Sequence, residues 1–302
     1  MRLAAVDIGS NTVHVLVADV VRGKLEDVAH YVEMPELGAQ VARTGMIGKR
    51  SRTALRALRK VIAQAKRHSY HKLIAAATEA VRQASDGPAF VRQASELIAS
   101  PVRIISADTE ARLSFAGVAS RHAVRREWAM VDLGGASTEA VIARGGEILQ
   151  MSKLNLGSGV LAGRYLSDPP RAEERARLRR AALRELARAP DGEVERLVAT
   201  GGTASNLPFV LARRNPPQVL TTEDLLRCEA RLDRARAREL AVASLLGAGR
   251  VRAMRAGVEA LLLFLDWYGL TVLHVSHEGL RHGMLLAYLA HNEDWWRDGW
   301  VK

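Results

Sequence analysis

Short apolar runs alternate along the chain with longer segments whose apolar residues recur every three or four positions. Apolar runs bounded by Gly, Asn, Asp or Ser are typical of strands, whereas the spacing of Leu55, Leu58 and Ile62 places them on one face of a helix. The pattern predicts strands at 2–8, 12–20, 24–32, 72–77, 102–105, 127–132, 137–143, 147–153, 196–199 and 271–275. It predicts helices at 51–68, 88–99, 108–120, 172–189, 203–212, 222–232, 235–245, 252–268 and 279–290. This alternation of strands and helices favours an α/β fold.

One motif occurs twice, in residues 3–17 and again in residues 128–142. Each copy has an apolar run with an Asp near its end, a turn of glycine and small polar residues, and a second apolar run. The two acids are Asp7 and Asp132. This order predicts two β-hairpins with a carboxylate at the end of the first strand. A tight glycine turn can direct backbone N–H groups at an anion, and the neighbouring carboxylate, which repels phosphate, would hold a cation that binds it.

Residues 197–206 form a third glycine turn, in which a short apolar run precedes Gly201 and Gly202 and a helix start of small residues follows. The first N–H groups of a helix lie at the positive end of its dipole and commonly bind anions. Taken together, the three loops predict a protein of two lobes that holds a chain of phosphates.

The length and the cysteine content limit the number of domains and exclude some kinds of site. The chain has 302 residues, which suits about two domains, and the segment 121–127 just before the second hairpin is the predicted boundary. No apolar run approaches the ~20 residues of a membrane span. The single cysteine, Cys228, excludes a disulfide framework and a cysteine metal site, so we expect a cytoplasmic protein.

The charge is strongly basic. Lys and Arg total 44 against 33 Asp and Glu, so the formal net charge is +11. An excess of this size favours a polyanionic partner: nucleic acid, anionic lipid or a long phosphate polymer. Aromatic residues make up only 5% of the chain and do not alternate with basic residues, which argues against a surface that stacks nucleic-acid bases. The arginine-rich run 171–188 is predicted to be a solvated helix face rather than a ligand site.

Six ordered segments resemble the motifs of the exopolyphosphatase/guanosine pentaphosphate phosphohydrolase (Ppx/GppA) family: 7–11, 77–84, 104–112, 132–139, 200–203 and 279–283. They span nearly the whole chain. The resemblance implies an α/β fold of two ribonuclease-H-like domains of the actin/sugar-kinase superfamily, with an active-site cleft between them. It corresponds to the short, two-domain form of the family, with an N-terminal domain at 1–124 and a C-terminal domain at 125–302.

The resemblance also implies an activity. In an exopolyphosphatase, a metal ion (Mg²⁺ or Mn²⁺) assists hydrolysis of the terminal phosphoanhydride of inorganic polyphosphate and orthophosphate is released. Asp132 matches the metal-binding Asp of the family, and Asp7 is its counterpart in the other domain. Glu110 matches the Glu that activates the attacking water, and Glu139 is a second candidate for that catalytic role. The residues implied to bind substrate phosphates are Ser10, Asn11, Arg82, Gly134, Gly135, Ser137, Thr138, Gly201, Gly202 and Thr203.

Three departures from the family pattern keep other functions open: Ala136 replaces a third glycine, and His277 and Gly257 each replace an acid. If Ala136 must adopt a positive φ, the cost is about 1 kcal/mol. One alternative is a guanosine pentaphosphate (pppGpp) 5'-phosphohydrolase, and another is an ATP-dependent kinase or ATPase of the same superfamily. A third is a weakly active or non-catalytic protein that binds polyphosphate or guanosine tetra- or pentaphosphate. We expect a homodimer with no membrane partner and no specific nucleic-acid partner.

Overall fold

The strands form two separate sheets, one in each of the two units into which the chain divides. The computed structural model describes residues 1–211, 216–243 and 246–297. Unit 1 comprises residues 1–117 together with the segment from residue 278 onward, and unit 2 comprises residues 118–277. The boundary predicted at 124/125 gave that final segment to the second domain, whereas in the structure it belongs to unit 1.

The elements of the described residues largely follow the predicted alternation. The strands are β1 (Arg2–Ile8), β2 (Val13–Val21), β3 (Lys24–Glu33), β4 (Lys72–Ala77), β5 (Val102–Ile104), β6 (Glu127–Leu133), β7 (Thr138–Arg144), β8 (Glu147–Leu154), β9 (Leu197–Thr200), β10 (Val219–Thr221) and β11 (Val272–Val275). The helices are α1 (Leu37–Thr44), α2 (Arg50–Ala65), α3 (Glu79–Gln83), α4 (Gly87–Ile98), α5 (Ala107–His122), α6 (Ser158–Tyr165), α7 (Ala172–Leu186), α8 (Gly201–Ala204), α9 (Leu207–Leu211), α10 (Thr222–Asp233), α11 (Ala237–Ala243), α12 (Ala248–Trp267) and α13 (Leu280–His291). Short 3₁₀ turns at Lys66–His68 and Asn292–Asp294 follow α2 and α13.

The two sheets repeat one topology. The first has the order β3-β2-β1-β4-β5, and the second has the order β10-β11-β9-β6-β7-β8. In each sheet the first three strands along the chain pair as antiparallel hairpins, and two later strands add parallel to the first of them. Strand β10 extends the second sheet with an antiparallel edge. The structure therefore confirms the predicted α/β class with two sheets, and the duplicated sequence motif corresponds to a duplicated sheet.

The first sheet is covered on both faces, which explains its continuous apolar strands. On one face Val6 and Val15 pack with Leu58 of α2. On the other face Leu3 packs with Met284 of α13. Helix α13 therefore supplies part of the apolar cover of β1, and this packing is the physical reason why residues from 278 onward join unit 1.

The core of unit 2 is built around helix α12. Every residue from Ala253 to Leu265 is buried, so the helix is surrounded by protein on all sides and shows little of the one-sided pattern of a surface helix. The buried Arg255 of this helix is neutralised by Asp168 at 2.7 Å and donates to the carbonyl oxygens of Leu232 and Ala235 at 2.9 and 2.7 Å. Arg255 therefore has a structural role in this unit.

Some elements differ from the sequence prediction. Helices α1, α3 and α6 and strand β10 lie in segments predicted as loops. The predicted helix 203–212 is divided between α8 and α9, and this helix and the predicted helix 235–245 both extend into residues outside the described part. Within the described residues, no helix is both long and apolar enough to cross a lipid bilayer.

Candidate functional site

The β1–β2 and β6–β7 turns close with the same backbone hydrogen bond. The N–H of Gly9 donates to the carbonyl of Thr12 at 2.9 Å, and the N–H of Gly134 donates to the carbonyl of Ser137 at 3.0 Å. A Cβ on Gly134 would lie 2.9 Å from that same carbonyl oxygen, so the tight closure requires a residue without a side chain. The predicted hairpins are therefore confirmed, and the two turns are structurally equivalent.

The residue opposite the strand-end Asp differs between the two hairpins. In unit 1 Asp7 pairs with His14 across the β1–β2 ladder, and in unit 2 Asp132 pairs with Glu139 across the β6–β7 ladder. Residues directly opposite on antiparallel strands have Cβ atoms about 4.5–5.5 Å apart, and two like charges at that spacing destabilise the pair. Glu139 also pairs with Lys153 across the β7–β8 ladder, so the protein itself supplies one cation beside this pair of acids. The carboxylates of Asp132 and Glu139 remain an oxygen-rich set of the kind that suits a hard cation.

A third strand brings a glycine turn to Asp132. Asp132 also lies beside Thr200 in the parallel β6–β9 pair. The next residue, Gly201, has a φ of +93°, and a Cβ there would lie 2.5 Å from the carbonyl oxygen of Leu133 and 3.0 Å from Oδ1 of Asp132. Only glycine fits both the backbone conformation and the space. The ends of β6, β7 and β9 thus meet at the Asp132 carboxylate.

Two hydroxyl groups of the β6–β7 turn are engaged within the protein. Ser137 Oγ donates to Oε1 of Glu139 at 2.9 Å, and Thr138 Oγ1 donates to the carbonyl of Leu156 at 3.2 Å. Since a hydroxyl has a single donor hydrogen, neither group has one left for a phosphate in this conformation. Ser137 therefore orients the Glu139 carboxylate, and Thr138 ties the hairpin to the following loop.

Helix α6 fixes the carbonyl side of the same turn. The carbonyl of Gly134 accepts from both the N–H and the Oγ of Ser158 at 3.0 Å, and that of Gly135 accepts from the N–H of Gly159 at 2.9 Å. The first N–H groups of a helix have no partner inside the helix, so the turn satisfies them. The Gly134–Gly135 turn is thereby held rigidly on unit 2.

Ala136 is accommodated without the strain that a positive φ would bring. Its φ lies outside the left-handed region. The close neighbour is Gly157, where a Cβ would lie 2.0 Å from the carbonyl carbon of Ala136. The strain of about 1 kcal/mol that a positive φ would impose on an alanine is therefore absent at this position.

The Gly201–Gly202 turn differs from the predicted helix N-terminus. The helix that follows it, α8, spans only Gly201–Ala204, so its dipole is that of about one turn. Thr203 is 1% exposed, and its Oγ1 has no hydrogen-bond partner among the residues that the structure describes. A Cβ on Gly257 would lie 2.3 Å from that oxygen. Thr203 thus packs α8 against α12. This contact also accounts for glycine at 257, since an acid there would displace Thr203.

Sequence reasoning did not identify Arg250, whose guanidinium lies over the same turn. A Cβ on Gly202 would lie 1.9 Å from Nη1 and 2.8 Å from Cζ of this arginine. Arg250 is in the first turn of α12 and belongs to none of the six motifs, so no spacing signal indicated it. Its fixed charge and planar donor fork suit contact with phosphate oxygens.

In unit 1, Arg82 joins two carboxylates. Both its Nη atoms donate to Oε2 of Glu110 at 3.0 Å, Nη2 also bonds Glu79, and Nη1 donates to the carbonyl of Ile105 at 2.6 Å. Burial disfavours the charged guanidinium, but the negative charges of Glu110 and Glu79 outweigh it and raise the pKa of Arg82 above its ordinary value. Arg82 therefore positions Glu110. If Arg82 also contacts a phosphate, the same guanidinium group must at the same time bind Glu79 and Glu110. Glu79 was missed, although it lies within the 77–84 motif.

Glu110 is not the cap of its helix. Ser106 Oγ accepts from the N–H of Thr109 at 3.0 Å, which is the usual N-cap contact, so Ser106 fills that role for α5. The side chain of Glu110 instead contacts Arg82 and is mostly buried. A capping role alone therefore does not account for Glu110.

Asp7 has a cationic neighbour. Nη1 of Arg281, from the start of α13, lies 3.6 Å from Oδ2 of Asp7. The adjacent turn is anchored from outside the hairpin, because the carbonyls of Ser10 and Asn11 accept from the N–H groups of Gly38 and Glu36 at 2.7 and 3.1 Å. A guanidinium beside Asp7 would compete with a metal ion for the same carboxylate.

The oxygen donors of unit 2 fit Mg²⁺ or Mn²⁺. Within the described residues, no group of three or more His, Cys, Asp or Glu side chains is arranged to hold a metal. Mg²⁺ is usually held by one or two carboxylates, with water and substrate phosphates completing its shell. Asp132 with Glu139 opposite it offers that donor set, and metal binding there stays a prediction.

The family model of the Ppx/GppA phosphatase family matches residues 16–292. The chain belongs to this family. A solved structure of the family member from Aquifex aeolicus is 26% identical, covers 97% of this chain and 99% of its own, and superposes with a TM-score of 0.80. A second structure of the Aquifex aeolicus enzyme is 26% identical, covers 95% of this chain and 99% of its own, and has a TM-score of 0.78.

An exopolyphosphatase from Cytophaga hutchinsonii has the same fold. It is 23% identical, covers 96% of this chain and 98% of its own, and has a TM-score of 0.83. These matches confirm the resemblance to the Ppx/GppA family, and they identify the chain as a phosphatase of that family.

The departures from the Ppx/GppA pattern leave the central acids in place. His277 is exposed on the β11–α13 connection, and Gly257 and Ala136 are explained by their packing partners. Asp132 and Glu139 pair across the β6–β7 ladder, and Ser137 donates to Glu139. Glu110 forms an ion pair with Arg82. These three carboxylates are therefore present in this Ppx/GppA chain, and their roles at the metal and the water stay predictions.

Proposed function

We propose that this protein is an exopolyphosphatase, which hydrolyses the terminal phosphoanhydride of inorganic polyphosphate and releases orthophosphate. The observation that carries the proposal is the acid pair Asp132 and Glu139 at the ends of β6 and β7, beside a glycine turn that approaches Asp132 closely. Two carboxylates side by side offer the oxygen ligands that Mg²⁺ and Mn²⁺ prefer. That arrangement supports chemistry on a substrate that brings both a metal ion and phosphate oxygens.

The proposed reaction is direct attack by water. The water oxygen forms a bond to the terminal phosphorus, the bond from phosphorus to the bridging oxygen breaks, and the shortened polyphosphate leaves with that oxygen. Glu110, positioned by Arg82, accepts the proton of the water. Glu139, oriented by Ser137, is the second candidate for this proton transfer.

Backbone N–H groups and fixed cations would stabilise charge on the transferred phosphoryl group. The N–H of Gly134 already donates to Ser137, so Gly135 and the Gly201–Gly202 turn would supply the backbone N–H groups. Arg250, over Gly202, would supply the fixed cation. Mg²⁺ or Mn²⁺, held by Asp132 with Asp7 as the second candidate, would add positive charge at the phosphate oxygens and orient them.

Two features support polyphosphate over pppGpp as the substrate. The net charge of +11 suits a long polyanion. The three turns, residues 9–12, 134–137 and 201–206, carry no Phe, Tyr or Trp that would stack on a guanine base. The cytoplasmic location and the homodimer stay predictions.

The test is orthophosphate release from long-chain polyphosphate, tripolyphosphate and pppGpp, each with Mg²⁺, with Mn²⁺ and with EDTA. We expect metal-dependent release, fastest from polyphosphate, and no competition by ATP. Faster release from pppGpp would make the protein a pppGpp phosphohydrolase. Binding of polyphosphate without release under any of these metal conditions would favour the non-catalytic binding protein, and ATP-dependent transfer would favour the kinase.

A further inference from the structure

Helix α2 of unit 1 is basic and contains no acidic residue. Its sequence, RSRTALRALRKVIAQA, is preceded by Lys49 and followed by Lys66 and Arg67. Surface helices usually place acids three or four residues from their basic groups, because such pairs stabilise the helix. The absence of acids from α2 therefore needs an explanation that local helix stability does not provide.

The basic residues of α2 share one exposed face. The apolar residues Ala54, Leu58 and Val61 are buried against the sheet, so the helix is held in a fixed orientation. Arg52, Arg56 and Arg59 follow one another at spacings of four and three and are all exposed. At 1.5 Å per residue the helix is ~24 Å long, so its exposed face presents a stripe of positive charge over that length. The residues of this basic face are Lys49, Arg52, Arg56, Arg59, Lys60, Lys66 and Arg67.

The charges of the basic face are largely uncompensated. Lys60 pairs with Glu33 at 2.6 Å, whereas Arg52, Arg56 and Arg59 form no ion pair within the described residues. Like charges at these spacings repel one another, so the fold retains a repulsion along the helix.

The other arginine-rich helix, α7, differs from α2 in that acidic side chains neutralise its less exposed arginines. Its Arg175 lies 2.5 Å from both Glu229 and Asp233, and its Arg179 lies 2.8 Å from Glu259. Both helices also carry exposed arginines without an ion pair among the described residues, but α7 intersperses them with Glu173, Glu174 and Glu185, whereas α2 carries no acid. The basic face of α2 is therefore open to an external anion without a neighbouring acid on its own helix.

The start of α2 is connected to the β1–β2 turn through contacts with Pro35 and Glu36. Nη1 of Arg50 donates to the carbonyl of Pro35 at 3.4 Å, and the next residue, Glu36, donates its N–H to the carbonyl of Asn11 at 3.1 Å. One short segment thus joins the predicted phosphate-binding turn to the first residue of the helix.

We propose that the basic face of α2 is a second binding surface for inorganic polyphosphate, which holds the chain beyond the phosphates bound at the Ser10–Asn11 turn. This inference rests on the proposed function. Guanidinium forks match phosphate oxygens, and α2 has no aromatic side chain on which a base could stack, so the chemistry favours a bare phosphate polymer over a nucleic acid.

The experiment compares two triple variants with the same loss of charge. The test variant is Arg52→Gln/Arg56→Gln/Arg59→Gln. The control is Arg177→Gln/Arg180→Gln/Arg184→Gln, which removes three exposed arginines of α7 that also form no ion pair within the described residues. Binding of long-chain polyphosphate is measured in EDTA across a series of salt concentrations, with tripolyphosphate as the short ligand.

We expect the α2 variant to bind long-chain polyphosphate about tenfold more weakly at low salt, and the slope of log affinity against log salt to fall by about two units, as the loss of three contacts with a flexible polyanion predicts. Tripolyphosphate binding and the unfolding midpoint in urea should match the parent protein. The variant Arg52→Lys/Arg56→Lys/Arg59→Lys should keep the salt slope, which separates loss of charge from damage to the helix.

Equal losses in the α2 and α7 variants, or no loss in either, would overturn the proposal in favour of net charge alone. An α2-dependent complex with single-stranded RNA that polyphosphate does not displace would overturn it in favour of a nucleic-acid surface. Because binding is measured without turnover, a protein that hydrolyses nothing can still show the α2 effect. An active exopolyphosphatase without the α2 effect would refute only this inference.

Discussion

Replacing Gly201 by alanine tests whether the backbone at the end of β9 is fixed by its approach to Asp132. Gly201 has a φ of +93°, and the methyl carbon of an alanine there would lie only 2.5 Å from Leu133 O and 3.0 Å from Asp132 Oδ1. Gly145, in the β7–β8 turn of the same unit, has a φ of +59° and nothing within 4 Å of its Cβ position. Gly145→Ala therefore reports the conformational cost alone, and the difference between the two variants reports the crowding.

The magnitudes follow from the two contributions. An L-residue in the left-handed region costs roughly 1–2 kcal/mol, and the reduced freedom of the unfolded chain offsets roughly 0.4–1 kcal/mol of it. We therefore expect Gly145→Ala to lower the free energy of unfolding by about 1 kcal/mol. Forcing a methyl group into a filled site adds roughly 1–3 kcal/mol, so Gly201→Ala should lower it by about 2–4 kcal/mol.

Urea unfolding at 25 °C measures the stability, and orthophosphate release from polyphosphate measures the site. Gly145→Ala should retain the activity of the parent protein, because its turn lies at the opposite end of β7 from Glu139. Gly201→Ala should lose most of it even where the protein is fully folded, because Asp132 must move to admit the methyl group. If the two variants were equally stable and equally active, the close approach of Gly201 to Asp132 would not constrain the site.

Four further substitutions give expected outcomes. Glu110→Gln should reduce turnover by about 10²–10⁴-fold while polyphosphate binding persists, and an unchanged rate with an inactive Glu139→Gln would move the base to Glu139. Asp132→Asn should raise the Mg²⁺ concentration needed for half-maximal phosphate release without changing the unfolding midpoint; an unchanged metal requirement would contradict its role as a ligand. Ala136→Gly should leave turnover unchanged and destabilise the fold by about 0.5–1 kcal/mol in urea, since the alanine is unstrained; a large gain in turnover would show that its methyl group crowds the phosphate. Burial raises the pKa of Glu229 from 4.5 to about 7 despite the neighbouring Arg175. Between these pH values the folded state keeps a proton that the unfolded state releases. The resulting contribution to the free energy of unfolding is therefore fully present below pH 4.5 and is lost as the pH rises to about 7. Glu229→Gln cannot ionise and should flatten the pH dependence of the urea midpoint between those values, whereas an unaltered profile would contradict the raised pKa.

Periodicity predicted most strands because burial on both faces leaves a continuous apolar run that is visible without tertiary information. It did not predict α6, whose first residues are rich in glycine and serine and have low helix propensity. That helix begins where the carbonyls of Gly134 and Gly135 accept its free N–H groups, a stabilisation that depends on residues about 25 positions earlier in the chain. Helix α3, with five residues, is too short to show a period.

The identity of the site acids was predictable, and the use of its hydroxyl groups was not. Asp7 and Asp132 stand out because a duplicated motif carries them. Thr138 and Thr203 have the right chemistry for phosphate, but the structure commits one to a backbone carbonyl and buries the other against Gly257. A hydroxyl group is equally suited to any of these partners, so only the tertiary structure distinguishes them.

The assignment of α13 to unit 1 has a consequence for synthesis on the ribosome. Unit 2 is one continuous stretch, and its sheet can assemble as soon as residues 118–277 have emerged. The first sheet emerges earlier, yet the face of β1 that carries Leu3 is covered only in part, by residues such as Leu113 of α5, until Met284 of α13 arrives. Contacts over such a separation in sequence form slowly, and exposed apolar strands in the interval are prone to aggregate. In this protein the half that the ribosome makes first is the half that completes its folding last.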